Sequence, residues 1–148
     1  MSRLLPLARP LWEIAWEIVW RIAGWRHHVD GAQKRIVSEL LAWPNVTQQP
    51  HRFGGVEFCL GKREIGHIHG DWLVDIPFPT RVRNEVVAAG LAAPHHILPN
   101  SGWISRYLRQ PEDVDTAIAL LRRSYEIALV QRQRRTQTSP ADSQKEAL

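Results

Sequence analysis

The apolar positions of this chain change period several times, and each change marks an element. Early in the chain Trp12, Trp16 and Trp20 recur every four residues. Leu11, Ala15, Ile18, Val19, Ile22 and Ala23 widen their stripe to more than half of a helical circumference. Glu13, Glu17 and Arg21 share the narrow remaining face, where Glu17 and Arg21 are spaced to pair at i,i+4. Pro10 suits the first turn and Gly24 the stop, so residues 1–28 read as an amphipathic, Trp-rich helix. A second helix is expected from about Asp30 to Ala42. Asp30 would be its N-cap, and Ile36, Val37, Leu40 and Leu41 its apolar face. Pro44 ends it by disfavouring helical geometry at Trp43.

The period then drops to two. Val46 to Arg52 reads as an edge strand broken by Pro50, and Gly54-Gly55 as a turn or bulge. Val56, Phe58 and Leu60 alternate with Glu57 and Cys59, the mark of a half-buried strand. Gly61-Lys62 is a tight hairpin turn of the Gly-X kind, from which Arg63 to His69 returns. After Gly70-Asp71, Trp72, Val74 and Ile76 alternate with Leu73 and Asp75. Three short strands joined by glycine turns make an antiparallel meander. A helix begins at Pro79 or Thr80, with Val82, Val86 and Val87 on its buried side and Gly90 after its end. A short segment from Pro94 to Pro99 carries His95-His96, and Trp103 to Leu108 is a further strand. Pro111 opens the last helix, whose inner face is Val114, Ala117, Ile118, Leu121 and Tyr125. The pattern predicts an α+β fold: a small antiparallel sheet, a meander plus a further strand, with helices packed on one face and an amphipathic helix before it.

A length of 148 residues with 44% apolar and 23% charged positions suits one domain with tails. The domain is expected over residues 29–130, and residues 131–148 as a polar tail, disordered from Thr136 onward. The net charge of +4 permits an acidic partner. The basic residues gather late, however, at Arg122, Arg123, Arg132, Arg134 and Arg135, where they complement a helix C-terminus. Nucleic acid is therefore a minor alternative rather than the leading partner. Cys59 is the single cysteine, which excludes an intramolecular disulfide and a multi-thiolate metal site. It reads as a small buried residue rather than a nucleophile.

The charges at Glu13, Glu17 and Arg21 leave no run of 18 uncharged apolar residues to span a membrane, and the segment lacks the pattern of a secretory signal. A cytoplasmic protein is expected. The stripe of Trp12, Trp16 and Trp20 suits docking on the domain or on a second copy in a homo-oligomer. It also suits peripheral contact with a membrane surface, where indoles favour the interface.

The candidate chemistry sits in the strand Gly66-His67-Ile68-His69-Gly70. His67 and His69 are two apart and leave the same face, which Arg63 and Ile65 should share. A His-x-His pair binds zinc or iron when a third ligand approaches, and His95, His96 and Asp75 are the candidates. No further spacing signature supports a metal, so none is expected. Acid–base chemistry is the second reading, with Asp75 orienting one imidazole. In the third the histidines only tie loops together. Trp103 either floors a pocket for a planar ligand or packs in the core. Ser101 lacks a nucleophile elbow, and no glycine-rich phosphate loop occurs.

The ordered runs Val56-Glu57-Phe58, Lys62 to Asp71, Asp75-Ile76-Pro77-Phe78-Pro79, His95-His96-Ile97-Leu98-Pro99 and Ser101-Gly102-Trp103-Ile104-Ser105 resemble the luciferase-like domain family. That family includes the fungal luciferases, and the resemblance covers about residues 50–128. It implies binding of a small planar phenolic or pyrone-like molecule and oxidation by molecular oxygen, with no metal or flavin cofactor. The fungal enzymes also carry a membrane-linked hydrophobic N-terminal segment, which favours the interfacial reading of the Trp stripe. On this resemblance His67, His69, Asp75, His95 and His96 are the expected catalytic groups, and Arg81, Ser101 and Trp103 the substrate-binding ones. The alternative is a non-enzymatic interaction module acting through the Trp helix or the basic residues.

Overall fold

Helix α1 (Ala32–Leu41) forms where the sequence pattern places it, and it buries Ala32, Ile36 and Leu40. Its cap is not the expected one. Gly31 takes the N-cap position with φ 77°, and no side chain of the helix's own turn caps it. The carboxylate of Asp71, 40 residues away, accepts the backbone N–H of Gly31 at 3.2 Å and of Gln33 at 2.8 Å. A local search for Ser, Thr, Asp or Asn at the N-cap therefore selects Asp30, whereas the orphan donors are met across the fold. This computed structural model describes residues 27–138. The expected Trp-rich helix lies outside the described residues, as does the chain beyond Thr138.

Six strands follow: β1 (Val46–Pro50), β2 (Val56–Leu60), β3 (Arg63–His69), β4 (Leu73–Pro77), β5 (Ala93–Pro94) and β6 (Trp103–Tyr107). They form one sheet in the order β1-β2-β3-β4-β6-β5, with every neighbour antiparallel. The expected meander is β2 to β4, and the further strand β6 pairs with β4 through Asp75 opposite Ser105. The stretch before His95 adds a two-residue strand that sequence periodicity cannot register.

Helix α2 (Thr80–Ala88) and helix α3 (Pro111–Gln137) complete the fold. α3 continues six residues beyond the polar boundary at Gln131, so the start of the expected tail is helical. At its N-terminus Gln110 and Asp113 form a capping box, and Asp113 accepts the backbone N–H groups of Arg109 and Gln110. The same carboxylate pairs with Arg106, whose other arm donates to the carbonyl of Leu91. One acidic residue thus ties β6 to the start of α3.

The core lies between the sheet and α3, which crosses β2, β3, β4 and β6. Phe58, Ile65, Ile68, Val74, Ile76 and Ile104 meet Val114, Ala117, Leu121 and Tyr125 there, joined by Ile36 and Leu40 of α1 and Val86 of α2. Tyr125 is almost fully buried, and its hydroxyl donates to the carbonyl of Pro44 at 3.0 Å, satisfying the polar end of the ring. The fold is α+β, with its helices on one face of the sheet. The other face carries Cys59 and Leu73, which are buried but outside this core cluster.

A bulge in β3 decides what the second face displays. Pairing runs Phe58 to Gly66 and then Cys59 to Glu64, so Ile65 is an extra residue. Ile65 and Gly66 both turn to the helix side. Ile65 belongs to the core, and a Cβ on Gly66 would stand 2.6 Å from Leu121 Cδ2 and 3.0 Å from the carbonyl oxygen of Asp75. The expectation that Arg63 and Ile65 share the face of His67 is therefore corrected, for Arg63 pairs with Leu60 of the helix-side core. The extra residue reverses the alternation and hands that place to Glu64.

Gly66 has φ 152° and no room for a methyl group. Replacing Gly66 with Ala is expected to destabilise the fold by about 2 kcal/mol through overpacking. Urea denaturation checks this, and an unchanged midpoint would contradict the packing described.

Candidate functional site

Antiparallel register sets one row of side chains across the second face. Glu57, His67, Asp75, Ser105 and Ala93 are successive partners on β2, β3, β4, β6 and β5. His69 lies two residues beyond His67 and opposite Leu73. Two loops fold over this row. The one after β1 lays the ring of His51 flat on His67, with centroids 3.8 Å apart and planes at 16°. The one after β5 brings in His95 and His96, whose rings stack at 4.4 Å.

Asp75 is the centre. It has no exposed surface, and four imidazoles surround its carboxylate. Its Oδ1 accepts the hydroxyl proton of Ser105 at 2.5 Å. His96 donates from both its backbone N–H and its Nδ1–H to Ser105 Oγ, at 3.3 and 3.1 Å. Its Nδ1 also stands 3.5 Å from Oδ1. Oδ2 faces His67 Nε2 at 3.3 Å, His69 Nε2 at 3.4 Å and His95 Nε2 at 3.6 Å, and no described group hydrogen-bonds to it.

The tautomers follow from the outer partners. His95 Nδ1 accepts the backbone N–H groups of Ile97 and Leu98, at 3.2 and 3.0 Å, so its ring proton sits on Nε2 and points at Asp75. His67 Nδ1 meets Glu64 Oε1 at 2.5 Å, which places His67 between two carboxylates. Burial opposes its protonation, but attraction to Asp75 and Glu64 wins and raises its pKa to about 9. Burial likewise pushes Asp75 up, and the surrounding imidazoles outweigh it and hold the carboxyl well below its usual range. His51, outside the row, shifts down through burial and the nearness of His67 and His69. Cys59 is pushed up to about 12 by burial and by its bond to Glu57, which leaves a thiol rather than a thiolate.

Of the residues singled out from the sequence, His67, His69, Asp75, His95 and His96 come together at one carboxylate. Trp103 joins them, its ring 5.3 Å from that of His67 and 6.0 Å from that of His95. Ser101 holds a turn: its hydroxyl donates to Leu98 O and accepts the N–H of Trp103. Arg81 is not brought to the cluster, for its side chain is 90% exposed and pairs with Glu85 on α2. Periodicity missed Glu64, which the bulge delivers, and His51, which a loop delivers. Ser105 was legible in principle as the residue that a β4–β6 pairing sets opposite Asp75.

Among the described residues three trios have metal-ligating atoms mutually within 4.8 Å: His51 with His67 and His69, Asp75 with His95 and His96, and His51 with Glu57 and Glu64. The rim around the cluster is apolar, with Phe53, Ile97 and Leu98 exposed on the two loops that supply His51 and His95.

The raised pKa of His67 has a signed consequence. Its folded value of about 9 exceeds the ordinary 6.5, so its contribution to stability is complete below pH 6.5 and is lost as pH rises through 9. Chelator-treated protein is expected to lose urea resistance between pH 7 and 10, and a His67→Gln variant to lose less. Equal slopes in the two proteins would contradict the paired imidazolium.

Comparison with known proteins meets this geometry. Residues 62–124 match the family model described as Luciferase domain. A search of curated proteins gave no match, and neither did a search of solved structures. The matched segment runs from the β2–β3 turn into α3 and contains Glu64, His67, His69, Asp75, His95, His96, Trp103 and Ser105. Residues 62–124 are thus similar to the luciferase domain family, and His51, which stacks on His67, lies outside the matched segment.

Proposed function

We propose that this domain binds a small planar, weakly acidic molecule of the phenol or hydroxypyrone kind on the histidine-bearing face of its sheet, and promotes its oxidation by dioxygen. The observation that carries the reading is the convergence of His67, His69, His95 and His96 on the buried carboxylate of Asp75 beside the half-buried ring of Trp103. Trp103 supplies a flat apolar surface, and the imidazoles supply hydrogen-bond partners for hydroxyl or enolate oxygens. Exposed Phe53, Ile97 and Leu98 extend the apolar surface at the rim, as a ligand with an aromatic body requires. The luciferase-family match supports oxygen-dependent chemistry on such a substrate. Arg81 has no part in this reading, and Ser101 acts by holding the turn that presents Trp103.

Calorimetric titration of the full chain with a hydroxylated 2-pyrone, followed by oxygen-electrode measurement, tests it. Binding to the wild type is expected. Removing the stacking surface in Trp103→Ala should weaken it about tenfold. No binding by the wild type, or equal binding by a His67→Ala/His69→Ala double variant, would overturn the assignment.

A further inference from the structure

The imidazoles around Asp75 Oδ2 stand at ion-pair distance, and none of them makes a hydrogen bond to it. An N–H···O bond in a protein spans about 2.7–3.2 Å. The three imidazole nitrogens that face Oδ2 lie at 3.3, 3.4 and 3.6 Å, and none of them satisfies it. A fully buried carboxylate oxygen without a hydrogen bond is costly, and three rings aimed at it make a chance arrangement a poor explanation. Ligands bound about 2.1 Å from a transition metal in tetrahedral array are about 3.4 Å from one another. The separations from Oδ2 to His67 Nε2 and to His69 Nε2 match that edge length.

Ring orientation selects among the candidates. His95 drops out, because the backbone donors at its Nδ1 force the proton onto the nitrogen that faces Asp75. His51 stacks parallel to His67, and two parallel rings cannot both hold one ion in their planes. His67 and His69 stand at 88° to one another, and both present Nε2 to the same oxygen of Asp75. Glu64 at His67 Nδ1 completes the carboxylate–histidine arrangement that orients metal-binding imidazoles. His95, through Nε2–H, and Ser105, through its hydroxyl, then position Asp75 rather than ligate. A proton and a metal ion compete for the same lone pair of His67.

We infer that His67 Nε2, His69 Nε2 and Asp75 Oδ2 form a binding site for one divalent first-row transition-metal ion, a two-histidine, one-carboxylate set with coordination positions left for water or substrate. This goes beyond the substrate reading and does not rest on it. It also departs from the cofactor-free chemistry that the family resemblance implies. Such a set is the kind that binds iron(II) in oxygenases, and it equally accepts cobalt(II) or zinc(II) as probes.

The test uses the full chain, stripped with a chelator and titrated with cobalt(II) under visible absorption. One equivalent is expected to bind, with ligand-field bands that zinc(II) abolishes by displacement. His67→Ala, His69→Ala and Asp75→Asn should each lose the bands. Glu64→Gln should keep the stoichiometry and bind about 10–100-fold more weakly. His28→Ala, which removes a histidine on the segment before α1, should behave as wild type. X-ray absorption of the zinc-loaded wild type should show two imidazoles in the first shell, and it decides the matter without any variant that fails to fold. Failure of the folded wild type to bind cobalt(II), an all-oxygen shell, or uptake unchanged in His67→Ala would overturn the site. Pyrone binding by Trp103→Ala and metal uptake by the same protein separate this inference from the substrate reading, since the indole is no ligand.

Discussion

A carboxylate with no exposed surface stands in the middle of this sheet, and the second face is organised around it. Taking such a charge out of water costs several kcal/mol unless partners replace its hydration. Asp75 meets that cost through groups brought from three directions. Ser105 comes from β6, His67 and His69 from β3, and His95 and His96 from the loop after β5. Register sets His67 and Ser105 opposite Asp75, and the backbone donors of Ile97 and Leu98 fix the ring of His95.

The helix side of the sheet makes this possible. α3 covers β2, β3, β4 and β6 with Val114, Ala117, Leu121 and Tyr125, so the stability of the domain is supplied on the face away from the histidines. The second face is then free to hold polar groups in an arrangement that a core would not tolerate. The β3 bulge links the two faces. It sends Ile65 and Gly66 together toward Leu121 and thereby turns Glu64 toward His67. An imidazole held between Glu64 and Asp75 is the result, and it is fixed in a way that favours a proton or a metal ion at its inner nitrogen.

Much of this was legible from residue order. Period-2 alternation and glycine turns found β2, β3 and β4, proline and apolar spacing found α2 and α3, and His-x-His spacing named the central pair. The parts that were not legible share a physical cause: they depend on residues far apart in the chain or on one residue out of register. Asp71 caps Gly31 at the start of α1 from 40 positions away. Glu64 reaches His67 only because Ile65 is an insertion in the ladder, and no count of apolar positions reveals an insertion. His51 lies on a loop before β2, and its stacking on His67 is a tertiary event. Arg81 was legible as a cation and not as a solvent-facing one, because a nine-residue helix turns its charges outward only once its apolar side has docked.

The central claim is that Asp75 and Glu64 hold His67 between them as one unit. Long-range proton–nitrogen correlation spectra of the histidine rings, recorded on chelator-treated full-length protein at pH 8, test it most directly. The account predicts one imidazole protonated at both nitrogens, assigned to His67 by its loss in His67→Gln, and a His95 ring protonated at Nε2 with an accepting Nδ1. A neutral His67 at that pH, or a His95 ring protonated at Nδ1, would contradict it.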